Sequence, residues 1–352
     1  MVATATETRS SPPPQSAQAQ LFHLFSRTLP ASSSPTDLFT ARALYDQLFT
    51  LATEVPGVSY RTTTIASRPA LWVHPPPPTT SNTGSQTPTA TNTLAPKTPT
   101  PAVILYLHGG GFSLGSPNSH RLISAHLSLH THLRVLSLDY RLAPEHPYPA
   151  ALDDAVAAYR ALQTTYPSAK IVLAGDSCGG NLVLAVALRL QRDNSGAREP
   201  AAGVALSPWF DLTAQEREGG SFAENADGEK PRDEMSGRAA IAALVERYLR
   251  GTGVQAGQEA LVSPLYATEE DLRALGGMPL WVSVGGWDAL RDQGDGMVRR
   301  LEGAGADVVC ERHEESLHIM EMQAGRAEAA DESLRRIGAW VRGKLGLDVV
   351  KV

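Results

Sequence analysis

The chain has 352 residues, 42% of them hydrophobic, a net charge of −6 and two cysteines. That length suits one large α/β unit, and the apolar fraction supplies a sizeable core. The weakly acidic balance, with no basic stripe, speaks against nucleic-acid binding. Cys178 and Cys310 make no disulfide framework, which is compatible with a reducing compartment. No segment approaches the roughly 20 apolar residues of a membrane span, so stable membrane insertion is not expected. Met1 to Arg9 lacks a basic segment followed by an apolar one, and Val350-Lys351-Val352 carries no retention address; the expected location is the cytosol.

Residues 1–18 are rich in Ser, Pro, Gln and Thr and read as a disordered tail. Residues 19–55 read as helix in two pieces, split between Pro30 and Pro35. Leu38, Ala41, Leu44, Tyr45 and Leu48 recur at helical spacing and give one apolar face. Strands are expected over 59–75. The run 76–100 is dominated by Pro, Thr, Ser and Asn and reads as a flexible loop between two strands of one sheet. From Val103 onward strands alternate with helices, the signature of a mostly parallel sheet covered on both faces, so 56–352 is expected to be one α/β core.

Three segments of that core stand out, two for the chemistry they offer and one, without an obvious nucleophile or base, as a brace. Val103 to Leu107 is an apolar run ending in His108-Gly109-Gly110-Gly111-Phe112. Consecutive glycines after a strand let the backbone approach a ligand and offer N–H donors to a developing oxyanion. Asp139 to Asp154 holds three closely spaced prolines and reads as a rigid loop braced by Asp139, Arg141 and Glu145, with His146 as a loop residue. The strand Lys170 to Leu173 leads into Gly175-Asp176-Ser177-Cys178-Gly179-Gly180 and then an apolar helix from Asn181. That is the strand–turn–helix setting of a G-x-S-x-G nucleophile elbow. The glycines leave room for a sharp turn, Ser177 sits at its tip, and the helix start presents unpaired N–H groups. Asp176 is expected to support the elbow. Cys178 reads as a small buried residue, or as a thiol that makes the protein sensitive to thiol reagents.

Further on, residues 212–262 interrupt the alternation. Glu216 to Asp233 is charged and Gly-rich and reads as a mobile loop, and Arg238 to Arg250 reads as a helix. Phe112 and Trp209 are candidates for a pocket wall or for the core. The strand around Leu280 to Val284 ends just before Asp288, where a site residue of an open α/β sheet belongs, with Asp292 as its rival. A last strand, Ala306 to Arg312, leads into a loop carrying His313 and His318.

Together the glycine loop, the Asp139–Asp154 loop and the elbow resemble the hormone-sensitive-lipase family of α/β-hydrolases, over roughly residues 100–342. The resemblance implies an α/β-hydrolase fold and a serine hydrolase of esterase type. In that family the triad runs Ser, then Asp, then His along the chain. Asp288 matches the family acid, which leaves Asp292 to brace the helix that follows, and His318 matches the general base. His318 would take the Ser177 proton, Asp288 would hold the imidazole, and the N–H groups of Gly109, Gly110, Gly111 and Cys178 would bind the oxyanion. The resemblance also implies a helical cap from residues 19–55 and 212–262, and pairing of two copies through the last strand and helix, with Trp340 and Val341 at that surface.

Two positions depart from the family pattern. Cys178 replaces the usual Ala, and Glu315-Ser316-Leu317-His318-Ile319-Met320 lacks the usual His-small-Phe with a preceding Gly, which leaves the acyl or alcohol pocket open. The expected substrate is a small-molecule ester or lactone, with no metal or organic cofactor. The same motifs suit a hydrolase-fold enzyme of natural-product biosynthesis doing acyl transfer, condensation or cyclisation. A non-catalytic small-molecule binding protein is the remaining alternative, against which the presence of Ser177, Asp288 and His318 stands.

Overall fold

Side chains alternate across a strand, so a strand covered on both faces must be apolar throughout. Ala102–Leu107 meets that condition, and every one of its residues is buried. Val103, Leu105 and Leu107 enter one core cluster, whereas Ile104 and Tyr106 enter the other. In this computed structural model, which describes residues 35–48, 52–77, 101–193, 196–227, 233 and 237–347, the segment lies inside an eight-stranded sheet. The strands are β1 (Ser59–Ile65), β2 (Arg68–His74), β3 (Ala102–Leu107), β4 (Arg134–Leu138), β5 (Lys170–Asp176), β6 (Ala202–Leu206), β7 (Leu280–Gly285) and β8 (Val308–His313). They lie in the order β1-β2-β4-β3-β5-β6-β7-β8. β1 pairs antiparallel with β2, and β2 antiparallel with β4; all other pairs are parallel.

Helices follow the strands as expected. They are α1 (Pro35–Leu48), α2 (Arg121–Thr131), α3 (Ala150–Thr165), α4 (Cys178–Arg192), α5 (Gly220–Asn225), α6 (Arg238–Leu249), α7 (Glu269–Ala274), α8 (Arg291–Gly303) and α9 (Glu328–Leu345). Leu152, Leu182 and Met297 carry α3, α4 and α8 onto one face of the sheet, and Leu38, Ile123 and Leu334 carry α1, α2 and α9 onto the other. The apolar stripe of α1 is buried at Leu38, Ala41 and Tyr45. The tail at 1–18, the first helical piece of 19–55, and 78–100 of the expected loop lie outside the described residues.

Two expectations are corrected. Glu216 to Asp233 is more than a loop: Gly220–Asn225 is helical, and Ser221, Phe222, Asn225 and Asp233 are buried. Val341 does not sit at a surface. It is fully buried, because α9 packs that side onto the cluster containing α2, while Trp340 is half-buried with its ring edge-on to Trp281.

Candidate active site

The parallel strands point their C-terminal ends at one edge, where a site in an open α/β sheet belongs. There β5 turns into α4 through Ser177, whose backbone is held at φ 52° and ψ −120°. This is a strained conformation for a residue with a β-carbon, and it lifts the side chain out of the turn. Neighbouring backbone over-determines it. Ser177 N donates to Leu206 O at 2.8 Å, and Trp209 N donates to Ser177 O at 3.0 Å. Asn181 Nδ2 bridges Trp209 O and Val262 O at 2.8 and 2.9 Å. A β-carbon at Gly179 would lie on the Leu107 carbonyl, which explains why glycine stands there.

Next to the elbow, His108 to Phe112 folds back beneath α6. A side chain on Gly111 would meet Leu244 of that helix, and the Phe112 ring stacks on Tyr248 with centroids 3.8 Å apart. Phe112 and Trp209 are both buried in the core cluster. The Cys178 thiol joins the two loops. It accepts from Phe112 N at 3.2 Å and lies 3.8 Å from Tyr140 Oη. Burial pushes this thiol up to about 12, so at neutral pH it is an inert packing group, not a nucleophile. Cys310 is exposed. Iodoacetamide is therefore expected to label Cys310 alone, with turnover unchanged; peptide mapping with a parallel assay checks this, and loss of activity tracking Cys178 labelling would contradict it.

Asp176 does what the sequence reading asks of it. Its buried carboxylate accepts from Tyr106 Oη at 2.7 Å and from Gly109 N at 3.0 Å, and faces His120 Nε2 at 3.3 Å. Strand β3, the glycine loop and α2 are thereby tied to the elbow. The same bond corrects one expectation. The Gly109 N–H is spent on Asp176, so it is not directed at an oxyanion, and Gly110, Gly111 and Cys178 remain. Asp176→Ala would strand these buried donors, and is expected to cost roughly 3–5 kcal/mol of stability in urea unfolding.

Asp288 lies past the end of β7, fully buried. Its Oδ1 accepts from Leu290 N at 2.7 Å, which closes the turn, and its Oδ2 lies 2.9 Å from His318 Nδ1. Burial works to lower the His318 pKa. The charge and hydrogen bond of Asp288, with the charges of Asp233 and Asp176, outweigh it and raise the pKa from 6.5 to about 9. The loops carrying the pair are joined through backbone: Gly286 N donates to His313 O at 2.8 Å, and Trp287 N to Ser316 O at 3.0 Å. Ile319 N donates to Ser207 Oγ at 2.9 Å, which anchors the His318 loop to the end of β6, where Ser177 N is also bound. The altered sequence around His318 therefore still delivers its imidazole to Asp288. Ser177 Oγ makes no hydrogen bond to His318 among the described residues, a contact that in hydrolases often tightens only around substrate.

Residues 104–322 match the model of a family described as alpha/beta hydrolase fold. The chain belongs to the hormone-sensitive-lipase-like α/β-hydrolases. An acetyl-hydrolase of Streptomyces hygroscopicus is 37% identical over 244 residues, 69% of this chain and 76% of that protein. The carboxylesterase/phospholipase LipF of Mycobacterium tuberculosis is 35% identical over 241 residues, 68% of this chain and 61% of that protein. For several curated relatives, the match spans less than two thirds of the relative's length. A crystallised esterase from the bacterial hormone-sensitive lipase family is 32% identical, with a TM-score of 0.75, covering 95% of this chain and 100% of that one.

The other residues singled out in this α/β-hydrolase are structural. Arg141 clasps Asp154 with contacts down to 2.8 Å, and Arg42 of α1 grips Glu145 through both Nη atoms at 2.8 Å. The Asp139 carbonyl accepts from Arg68, and His146 is exposed. Asp292 accepts from Ser221 N at 2.8 Å and links α5 to α8. His313 ends β8, 3.5 Å from Glu311. Sequence reading missed Ser207, Asn225, Asp233 and Glu321. Buried Glu321 accepts from Ser283 Oγ at 2.6 Å and Ser333 Oγ at 3.0 Å, which secures the chain just after His318. Each is a polar residue of ordinary type in an unremarkable run, and only the tertiary fold gives it a partner. A groove of about 390 Å³ lined by Leu190, Gln191, Glu199 and Met278 lies at the N-terminal end of β6 and β7, away from Ser177.

Proposed function

We propose that this protein is a serine carboxylesterase, acting on small-molecule esters or lactones through an acyl-enzyme on Ser177. The observation that carries the reading is the buried Asp288–His318 contact of 2.9 Å, at the sheet edge where Ser177 is held in its strained turn. His318 takes the Ser177 proton as the hydroxyl attacks the carbonyl carbon. Asp288 keeps the imidazole in the tautomer that can accept that proton and offsets the charge it gains. The amides of Gly110, Gly111 and Cys178 stabilise the tetrahedral oxyanion. His318 then protonates the departing alkoxide, and water releases the acid by the same route. Relatives named as esterases, carboxylesterases and an acetyl-hydrolase support hydrolysis over the biosynthetic alternative.

Helix α1 and residues 212–262 form, in this proposal, the cap that sets which substrate fits. Leu244 and Tyr248 of α6 already press on the glycine loop. Among the described residues no helix is long and apolar enough to cross a membrane. An exposed free thiol at Cys310 suits a cytosolic site of action. β8 is an edge strand, and pairing of two copies along it is the oligomer to look for by light scattering.

The test is turnover of p-nitrophenyl acetate, butyrate and octanoate, together with mass mapping of fluorophosphonate adducts. Hydrolysis with one adduct per chain, on Ser177, is the expected result. A folded protein with neither turnover nor adduct would transfer the weight to the binding reading. An adduct without turnover would favour a narrow biosynthetic substrate.

A further inference from the structure

Asp288 is held by more than its own loop. Helix α5 and Asp233, both from the segment between β6 and α6, wrap the turn that follows β7. Asn225 is fully buried, and its Nδ2 donates to the carbonyls of Gly286 at 3.3 Å and Asp288 at 3.1 Å. Ser221 Oγ donates to Ala289 O at 2.7 Å. The buried Asp233 carboxylate accepts from Ala289 N at 2.9 Å, and Asp233 N donates to Asn225 O at 2.8 Å. Both backbone polar groups of the residue after Asp288 are thus bound by this outer segment. Asp292 N and Oδ2 close the far end of the turn on Ser221.

We propose that Asn225 and Asp233 are positioning residues for Asp288, so that the cap-forming segment completes the catalytic machinery as well as covering it. A buried carboxylate is costly to desolvate, and that of Asp233 is turned onto the amide of the residue that follows Asp288. The hydrogen bond to Ala289 N and the nearby imidazole of His318 give Asp233 a use there. His318 feels three carboxylates: Asp288 in direct contact, and Asp233 and Asp176 at longer range. Placement of Asp288 by this segment also couples the cap to the chemistry: a shift of α5 moves the acid that orients the base.

This inference rests on the Ser177–Asp288–His318 reading, and the experiment separates the two. Kinetics on p-nitrophenyl butyrate are compared for Asp233→Asn, Asn225→Ala, Asp288→Asn and the double variant Asp233→Asn/Asp288→Asn, each checked for folding by circular dichroism. Asp233→Asn and Asn225→Ala are expected to lower kcat between about ten- and a hundredfold, with KM within about twofold. Asp233→Asn removes one of the charges that raise the His318 pKa, so the acid limb in kcat/KM shifts to lower pH; Asn225→Ala leaves that limb in place. In the Asp288→Asn background, Asp233→Asn is expected to cost no more than about twofold further, because a positioning residue has nothing left to position. Wild-type kcat and pH profile in Asp233→Asn, a change in KM alone, or full additivity in the double variant would overturn the proposal. Near-wild-type activity of Asp288→Asn would instead overturn the triad reading beneath it. Should Asp233→Asn fail to fold, Ser221→Ala, which frees the Ala289 carbonyl, carries the same kcat-against-KM comparison.

Discussion

Ser177→Ala is expected to abolish ester turnover, with a loss on the order of 10⁶-fold in kcat and an unchanged fold. The size follows from chemistry: without the hydroxyl there is no acyl-enzyme, and the oxyanion donors can only assist direct attack by water. The unchanged fold follows from the geometry at φ 52°. Alanine carries the same β-carbon into the same strained turn, and the bonds that fix the turn are made by the Ser177 backbone to Leu206 and Trp209. Thermal unfolding within a few degrees of wild type, with no detectable p-nitrophenol release, is the expected pair of results. Turnover above about 1% of wild type in a preparation free of contaminating esterase would mean that another group forms the covalent bond.

What the sequence makes legible here is whatever depends on near neighbours along the chain. The elbow is such a case, because strand, glycines, serine and helix lie within a short run and each fixes the next. The unbroken apolar run Val103 to Leu107 is another; it reads as a strand of a sheet covered on both faces, and the structure then divides it, with Val103, Leu105 and Leu107 in one core cluster and Ile104 and Tyr106 in the other. Position at a strand end was enough to raise Asp288, but choosing it over Asp292, and His318 over His313, took the family pattern. The fold separates the first pair physically: Asp288 reaches His318, whereas Asp292 turns to Ser221.

The misses share one cause, which is that a residue's partner came from elsewhere in the chain. Gly109 looked like an oxyanion donor because of its neighbours, yet its N–H is taken by Asp176. Val341 was placed at a surface by analogy, yet the register of α9 turns it into the core against α2. Glu216 to Asp233 reads as loop by composition, since glycine and charge dominate it. Phe222 gives the short helix α5 a buried anchor, and the polar side chains that composition counts against burial are satisfied by the Asp288 turn.

Asp288→Asn is expected to reduce kcat by about 10⁴-fold while leaving the site assembled. The substitution keeps size and shape, and an amide oxygen can still accept from Leu290 N, as Asp288 Oδ1 does at 2.7 Å. The amide nitrogen then faces His318 Nδ1, where a carboxylate oxygen lay at 2.9 Å. An amide donates where a carboxylate accepts. The imidazole must place its proton on Nε2, and the nitrogen that should receive the Ser177 proton is blocked. The pH profile adds a second, independent reading. In the wild type His318 is raised from 6.5 to about 9, so its proton is lost and kcat/KM rises as pH climbs through that range. Removing the Asp288 charge leaves burial, which favours the neutral ring, as the leading influence, and the acid limb moves to lower pH. The variant thus combines a base that is neutral at lower pH with a much smaller plateau. A loss below about tenfold, or an acid limb that stays in place, would show that His318 does not depend on Asp288 for its orientation or its charge.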